Sequence, residues 1–315
     1  MRILTIALIC FPVILNAQSF EELAHHFDYD SALPLDVQET NVSEHSGVQV
    51  HDIGYASPLG GRVPAYLVVP AREGHFAAIL FGHWMMKGSP YRNRTEFLDE
   101  AVLLARAGAV SLLIDTPFVR PGFVEEKDLL ASAQQAAEVS RQQIVDLRRG
   151  LDLLLARPDI DPKRIAYVGH SFDAHVGAIL AGVDKRIQSF VLMSGAYSDE
   201  ELFHSNQPDV KKYRKQLGDE KIRTFFREYG WDDPIHYVSH SSPAAVFLQF
   251  ASSDQSRQVA KTYYDAFGDP KKIAIYDATH ALDAAARHDR VDWLVRRLSL
   301  RPIDEAALMA IAPLK

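Results

Sequence analysis

The sequence predicts an α/β domain in which a mostly parallel central sheet carries helices on both faces. Three observations lead there. Short continuous apolar runs such as "FAAILFG" (76–82) suit strands covered on both faces. Longer segments between such runs place apolar residues at helical spacing. From residue 76 onward the two kinds alternate, as crossover-connected parallel strands require.

The elements follow in order. "VQVHDIGYA" (48–56) and "RVPAYLVVP" (62–70) flank the turn "SPLGG" and read as an antiparallel pair. After 76–82 comes the helix "TEFLDEAVLLARAG" (95–108), stopped by glycine, and the buried strand 109–117. Residues 136–158 carry Val139, Ile144, Val145, Leu147, Leu151, Leu154 and Leu155 on one helical stripe, ended by Pro158. Strand 164–169, helix 174–182 and strand 186–194 continue the rhythm. So do strand 243–251, helix 256–267, strand 271–278 and helix 282–298. The exception is the segment at about 199–232, which has short amphipathic helices and no strand. It reads as an insertion over the carboxyl ends of the strands, forming one wall of a substrate site. The expected layout is a leader at 18–47, one domain at 48–300 with that insertion, and a tail at 301–315.

Met1-Arg2, the apolar run Ile3 to Leu15 and the small polar Asn16-Ala17-Gln18-Ser19 have the layout of a secretory signal at residues 1–17. About 13 apolar residues fall short of the roughly 20 that span a bilayer, so no stable membrane anchor is expected after cleavage. The expected location is periplasmic or extracellular. Cys10, the one cysteine, lies inside this segment, which leaves no disulfides, cysteine nucleophile or thiolate metal site beyond it. A net charge of −7 with scattered basic residues gives no nucleic-acid footprint. No glycine-rich nucleotide loop and no metal-ligand spacing appears, so neither cofactor nor metal is expected. The sequence is silent on oligomeric state.

Chemistry enters at "YVGHSFDAHVG" (167–177). Ser171 follows a strand at once and opens a helix, the setting of a nucleophile elbow. Asp254 follows the strand 243–251, and His280 follows the strand 271–278. Parallel strands bring their carboxyl-end loops to one edge of the sheet. A serine hydroxyl attacks poorly until a base removes its proton, and an imidazole ordinarily does this near neutral pH. His280 is the expected base, with Asp254 orienting its ring. The N–H of Phe172, at the start of the helix, is one expected oxyanion donor, and the loop after "AILFG" should supply the other.

These segments, with "ARAGAVSLLID" and "DLRRGLDLLLARPDIDPKRIAYVGHS", resemble the α/β-hydrolase superfamily over about residues 48–298. The similarity is to its serine-nucleophile branch of dienelactone hydrolases, acetyl esterases and prolyl oligopeptidase catalytic domains. It implies an α/β-hydrolase fold and makes the backbone N–H of His83, after Gly82, the second oxyanion donor, with Trp84 as the alternative. Asp173 departs from the pattern, which has glycine two residues beyond the nucleophile. The expectation is a tolerated carboxylate, turned toward the neighbouring strand or the first turn of the helix. Trp84, Phe118 and Tyr197 are the candidate pocket residues. Arg120 reads as exposed, with a surface salt bridge favoured over a substrate contact. The expected function is an exported serine hydrolase that cleaves small-molecule carboxylic esters through an acyl-enzyme. The alternatives are a serine peptidase for short peptides and a non-catalytic binding protein on the same scaffold.

Overall fold

The computed structural model describes residues 18–195, 198–253 and 257–314. The signal segment 1–17 therefore lies outside the described residues. The strands are β1 (Gln38–Glu44), β2 (Val48–Ala56), β3 (Arg62–Pro70), β4 (Phe76–Gly82), β5 (Ala109–Ile114), β6 (Ile160–His170), β7 (Ser189–Met193), β8 (Ala245–Ala251) and β9 (Lys271–Tyr276). The helices are α1 (Phe20–Ala24), α2 (Leu98–Ala107), α3 (Leu129–Leu155), α4 (Phe172–Val183), α5 (Asp199–His204), α6 (Pro208–Leu217), α7 (Asp219–Tyr229), α8 (Arg257–Ala266), α9 (Ala284–Arg297) and α10 (Glu305–Ala310).

Among the described residues the strands form one sheet in the order β1-β2-β3-β5-β4-β6-β7-β8-β9. Pairing is antiparallel from β1 to β5 and parallel from β5 to β9. The chain adds β5 on one side of β4, then crosses back to add β6 on the other. This reversal leaves a crevice beyond the carboxyl ends of β4 and β6, where open α/β sheets bind ligands. Gly82 and Gly169 face each other in register at its mouth.

Successive residues of a strand point to opposite faces, and both faces are buried. Leu80, Leu112, Tyr167 and Leu248 pack with Ile144 and Leu151 of α3 and Ile179 of α4. Ile79, Leu113, Val168 and Phe247 pack with Leu104 of α2 and Val291 and Leu294 of α9. The continuous apolar runs exist because each strand serves two cores.

Three differences from the sequence reading have physical reasons. The leader contains β1, paired antiparallel with β2; its side chains are almost all exposed, so it shows no apolar alternation. The same segment is anchored by the fully buried Phe27, whose ring lies edge-on to Trp231 and Tyr237. Helix α3 begins at Leu129, well before the apolar stripe, because Asp128 accepts the N–H groups of Leu130 and Ala131 and starts it early. The tail forms α10, whose Leu308 is buried. No helix among the described residues is long and apolar enough to cross a membrane.

One buried ion pair joins α9 to α2. Arg290 donates from Nε to both oxygens of Glu100 at 3.0 and 3.1 Å, and from Nη2 at 2.6 Å. Both residues are buried. Removing one partner strands the other charge, so Glu100→Ala is expected to cost about 3–5 kcal/mol in urea unfolding. Replacing both with methionine is expected to recover most of it. A loss of less than about 1 kcal/mol for Glu100→Ala would contradict this account.

Candidate active site

The elbow begins with backbone geometry. Ser171 holds φ 56° and ψ −109°, a conformation that an L-residue rarely adopts. Its N–H donates to the Met193 carbonyl on β7 at 2.7 Å, and its own carbonyl accepts from Ala174 and His175 at 3.0 and 3.2 Å. The first turn of α4 then passes very close to β6. A Cβ on Gly169 would come within 2.2 Å of the Asp173 carbonyl oxygen, so only glycine fits there.

Asp173 is turned toward the neighbouring strand and fully buried. A Cβ on Gly82 of β4 would lie 2.3 Å from its Oδ1. The glycine that makes room for this turn thus stands on the adjacent strand. Gln143 Nε2 donates to Oδ1 at 2.9 Å and Tyr167 Oη at 3.2 Å, while Oδ2 has no partner among the described residues. Burial pushes the carboxyl up to about 7, although the Gln143 and Tyr167 hydrogen bonds favour the charged form.

Opposite the elbow, His280 Nε2 lies 2.8 Å from Ser171 Oγ, the geometry of a base and its nucleophile. Behind it stands His170, a residue the sequence reading passed over. The His170 ring stacks on that of His280 at 5.4 Å. Its Nε2 is 2.9 Å from the His280 carbonyl, which can only accept, so this nitrogen carries a hydrogen. Its Nδ1 is 2.6 Å from Glu96 Oε1, and the second Glu96 oxygen accepts the Trp84 N–H at 2.6 Å. The buried Glu96 therefore ties the loop after β4 to the segment that carries His280. A buried glutamate just ahead of a helix has no sequence signal of its own.

Of the residues expected near the crevice, His83 follows Gly82 with its ring buried and tied on both sides. Its Nε2 accepts the Thr116 N–H at 3.0 Å and its Nδ1 donates to the Trp84 carbonyl at 2.8 Å. Burial lowers its pKa to about 4, so the ring is neutral and acts as a staple for the loop. Phe172 opens α4 and lines the pocket beside Ser171. Trp84 does not line it: the indole is buried and stacked on His170 at 5.1 Å, and its backbone N–H is committed to Glu96. Trp84 is therefore neither a pocket wall nor the alternative oxyanion donor. Phe118 also stands back, edge-on to Phe172 at 5.3 Å. Arg120 is a further correction. It is largely buried and donates to the buried Asp146 at 2.6 Å, and to the Asp115 carbonyl. Asp254 and Tyr197 lie outside the described residues.

The solved structures include similar ones. An acetyl xylan esterase from Paenibacillus sp. R4 matches at 17% identity and a TM-score of 0.68, covering 89% of this chain and 92% of that one. Acetyl xylan esterase 1 from Thermoanaerobacterium sp. JW/SL YS485 matches at 15% and 0.69, covering 88% and 93%. The α/β hydrolase GrgF from Penicillium sp. sh18 matches at 15% and 0.55, covering 85% and 100%. The chain has the α/β-hydrolase fold. No family model and no curated protein matches it.

Within this hydrolase fold the pocket at Ser171 has a volume of about 270 Å³ and is also lined by Ala136, His175, Ser194, Gly195, Asp232 and His280. His175 lies 3.6 Å from Asp232, whose pKa burial raises. His175 sits four residues beyond Ser171, one helical turn on, and that spacing was its only signal in the sequence. Among the described residues no three His, Cys, Asp or Glu side chains are grouped to hold a metal ion.

Two tests follow. A carboxyl raised from 3.8 to about 7 keeps its proton only in the folded protein between those values. Stability therefore falls as pH rises through that window and stays low above it, at about 1.4 kcal/mol per pH unit. Asp173→Asn is expected to match wild type at about pH 4 and to be clearly more stable at about pH 8. A difference in urea midpoint that ignores pH would refute the buried neutral carboxyl. Separately, Glu96→Ala is expected to lower kcat more than about tenfold with KM nearly unchanged. Glu96→Gln, which still accepts from Trp84 and donates to His170, should restore most of the loss. Equal damage in both variants would show that charge, not placement, matters there.

Proposed function

We propose that the protein is an exported serine hydrolase that cleaves carboxylic esters through an acyl-enzyme. The observation that carries this reading is the 2.8 Å contact between Ser171 Oγ and His280 Nε2, at a strained turn beside the crevice between β4 and β6. His280 takes the serine proton as Oγ bonds to the acyl carbon, then returns it to the departing alcohol. A water activated by the same imidazole releases the acid. The N–H groups of Phe172 and His83 hold the oxyanion in both halves.

Asp254 is the proposed orienting acid. Its loop follows β8 and is tied to the loop after β9: Ser252 N–H donates to the Tyr276 carbonyl at 2.7 Å, and Ser253 Oγ to the Ala278 carbonyl at 2.8 Å. These bonds tie residues 252 and 253 to residues 276 and 278, which supports that assignment. Similar folds named acetyl xylan esterases are consistent with ester cleavage. The layout of residues 1–17 supports export, and residues 48–300 are proposed to act as one domain with a helical insertion at about 199–232.

The test is hydrolysis of an ester panel together with labelling by a fluorophosphonate. Wild type is expected to be labelled on Ser171, and Ser171→Ala to escape labelling and lose at least about 10³-fold in kcat. Asp254→Asn is expected to lose a comparable factor while remaining folded. Equal turnover by wild type and Ser171→Ala would remove the nucleophile assignment.

A further inference from the structure

A second cavity, of about 370 Å³, lies between the first turns of α3 and the helical insertion. One wall is Leu130, Ala133 and Ala137 of α3. The other is formed by two helical stripes. Helix α7 offers Ile222, Phe225, Phe226 and Tyr229, and α6 offers Val210, Tyr213 and Leu217. Stripes at this spacing normally close onto a facing helix until no void larger than a water molecule remains. Here they stop short, opposite alanines that leave the space open.

The cavity adjoins the Ser171 pocket, since Ala136 and Asp232 line both. Asp232 is largely buried at this junction, and its Oδ1 has no hydrogen-bond partner among the described residues. The other carboxylate on the wall, Asp233, is fully engaged: it accepts from Ser198 Oγ and from the N–H groups of Glu200 and Ile235. The inner compartment is thus mainly apolar, with Asp232 at its threshold. Its volume falls in the range of small-molecule sites.

We propose that this cavity is the second compartment of the substrate site and takes a hydrophobic group, alkyl or aryl, attached to one side of the ester. The inference rests on the esterase reading and narrows its substrate class: the preferred ester has a large apolar part beyond the reacting carbonyl. A sugar acetate places nothing apolar there. A hydrophobic chain passing Ala136 replaces the missing packing, and each methylene that leaves water contributes roughly three- to fourfold in kcat/KM.

The experiment measures kcat/KM on two series, p-nitrophenyl esters from acetate to octanoate and acetates of methyl to octyl alcohol. Wild type and Ala133→Phe are compared, the phenyl ring being placed to fill the cavity. One of the two series is expected to climb in wild type, and the longest-to-shortest ratio is expected to drop at least about tenfold in Ala133→Phe. Flat or falling values in both series, or an unchanged ratio in the variant, overturn the proposal. Should Ala133→Phe fail to fold, Leu217→Trp fills the same space from the opposite wall. If wild type cleaves no ester of any length, the esterase reading fails, and binding of octanoate to the Ser171→Ala protein by calorimetry decides the compartment. Binding abolished by adding Ala133→Phe upholds it; no binding, or binding unaffected by that change, overturns it.

Discussion

The site depends on one backbone conformation, that of Ser171. Positive φ with ψ near −109° costs a non-glycine residue on the order of 1–3 kcal/mol, so the surroundings must impose it. They do so through hydrogen bonds and close approach. The Met193 carbonyl on β7 holds the Ser171 N–H, and the first turn of α4 grips its carbonyl. Gly169 and Gly82 let that turn sink between β4 and β6. The return for this strain is position. Oγ stands clear of the sheet within reach of His280, and the chain turns into a helix whose first N–H groups have no partner within the helix.

The pocket at Ser171 sits close to carboxylates, and each is compensated differently. Glu96 accepts Trp84 N–H and contacts His170 Nδ1, so its two oxygens hold two loops together. Asp232 faces His175. Asp173 has no cationic partner within hydrogen-bonding distance; burial raises its pKa to about 7 and so favours the neutral acid. In the proposed reaction, a fixed negative charge at this position would oppose the developing oxyanion in a low-dielectric setting. Burial thus lowers the share of charged Asp173 near neutral pH relative to an exposed carboxyl, which lessens this opposition in the proposed reaction. Burial likewise keeps the His83 ring neutral near neutral pH.

Much of this was legible in the sequence, and the pattern of what was not has a physical basis. The strands β2, β3 and β4 match their apolar runs residue for residue because each run is bounded by turn residues and serves a buried face. Strand β1 was invisible because an exposed edge imposes no alternation. Ser171 and His280 could be paired from their places after parallel strands, since the fold brings such loops together whatever lies between. Trp84 was misread because an aromatic residue in a strand-end loop looks the same facing a pocket or backing a histidine. Glu96, His170 and Asp232 matter through contacts across 74, 110 and 57 residues, to His170, His280 and His175 respectively, which no local spacing encodes.

The start of α3 shows how a missing pattern can itself carry meaning. From Val139 onward the helix has the apolar stripe of an element pressed against a sheet, and there it packs on β4, β5 and β6. After Leu129 and Leu130, its earlier turns carry Ala131, Ala133, Ala136 and Ala137 among polar residues, so this stretch presents little bulk. Alanine gives strong helix propensity with minimal volume, so this stretch is stable as a helix while leaving room beside it. The insertion supplies the opposite: large aromatic residues on α7 aimed at that room. A close-packed interface would need large side chains facing large ones across a short gap, or small facing small with the helices closer together. Large facing small across an open gap is an arrangement that a third body completes, and the gap opens beside Ser171.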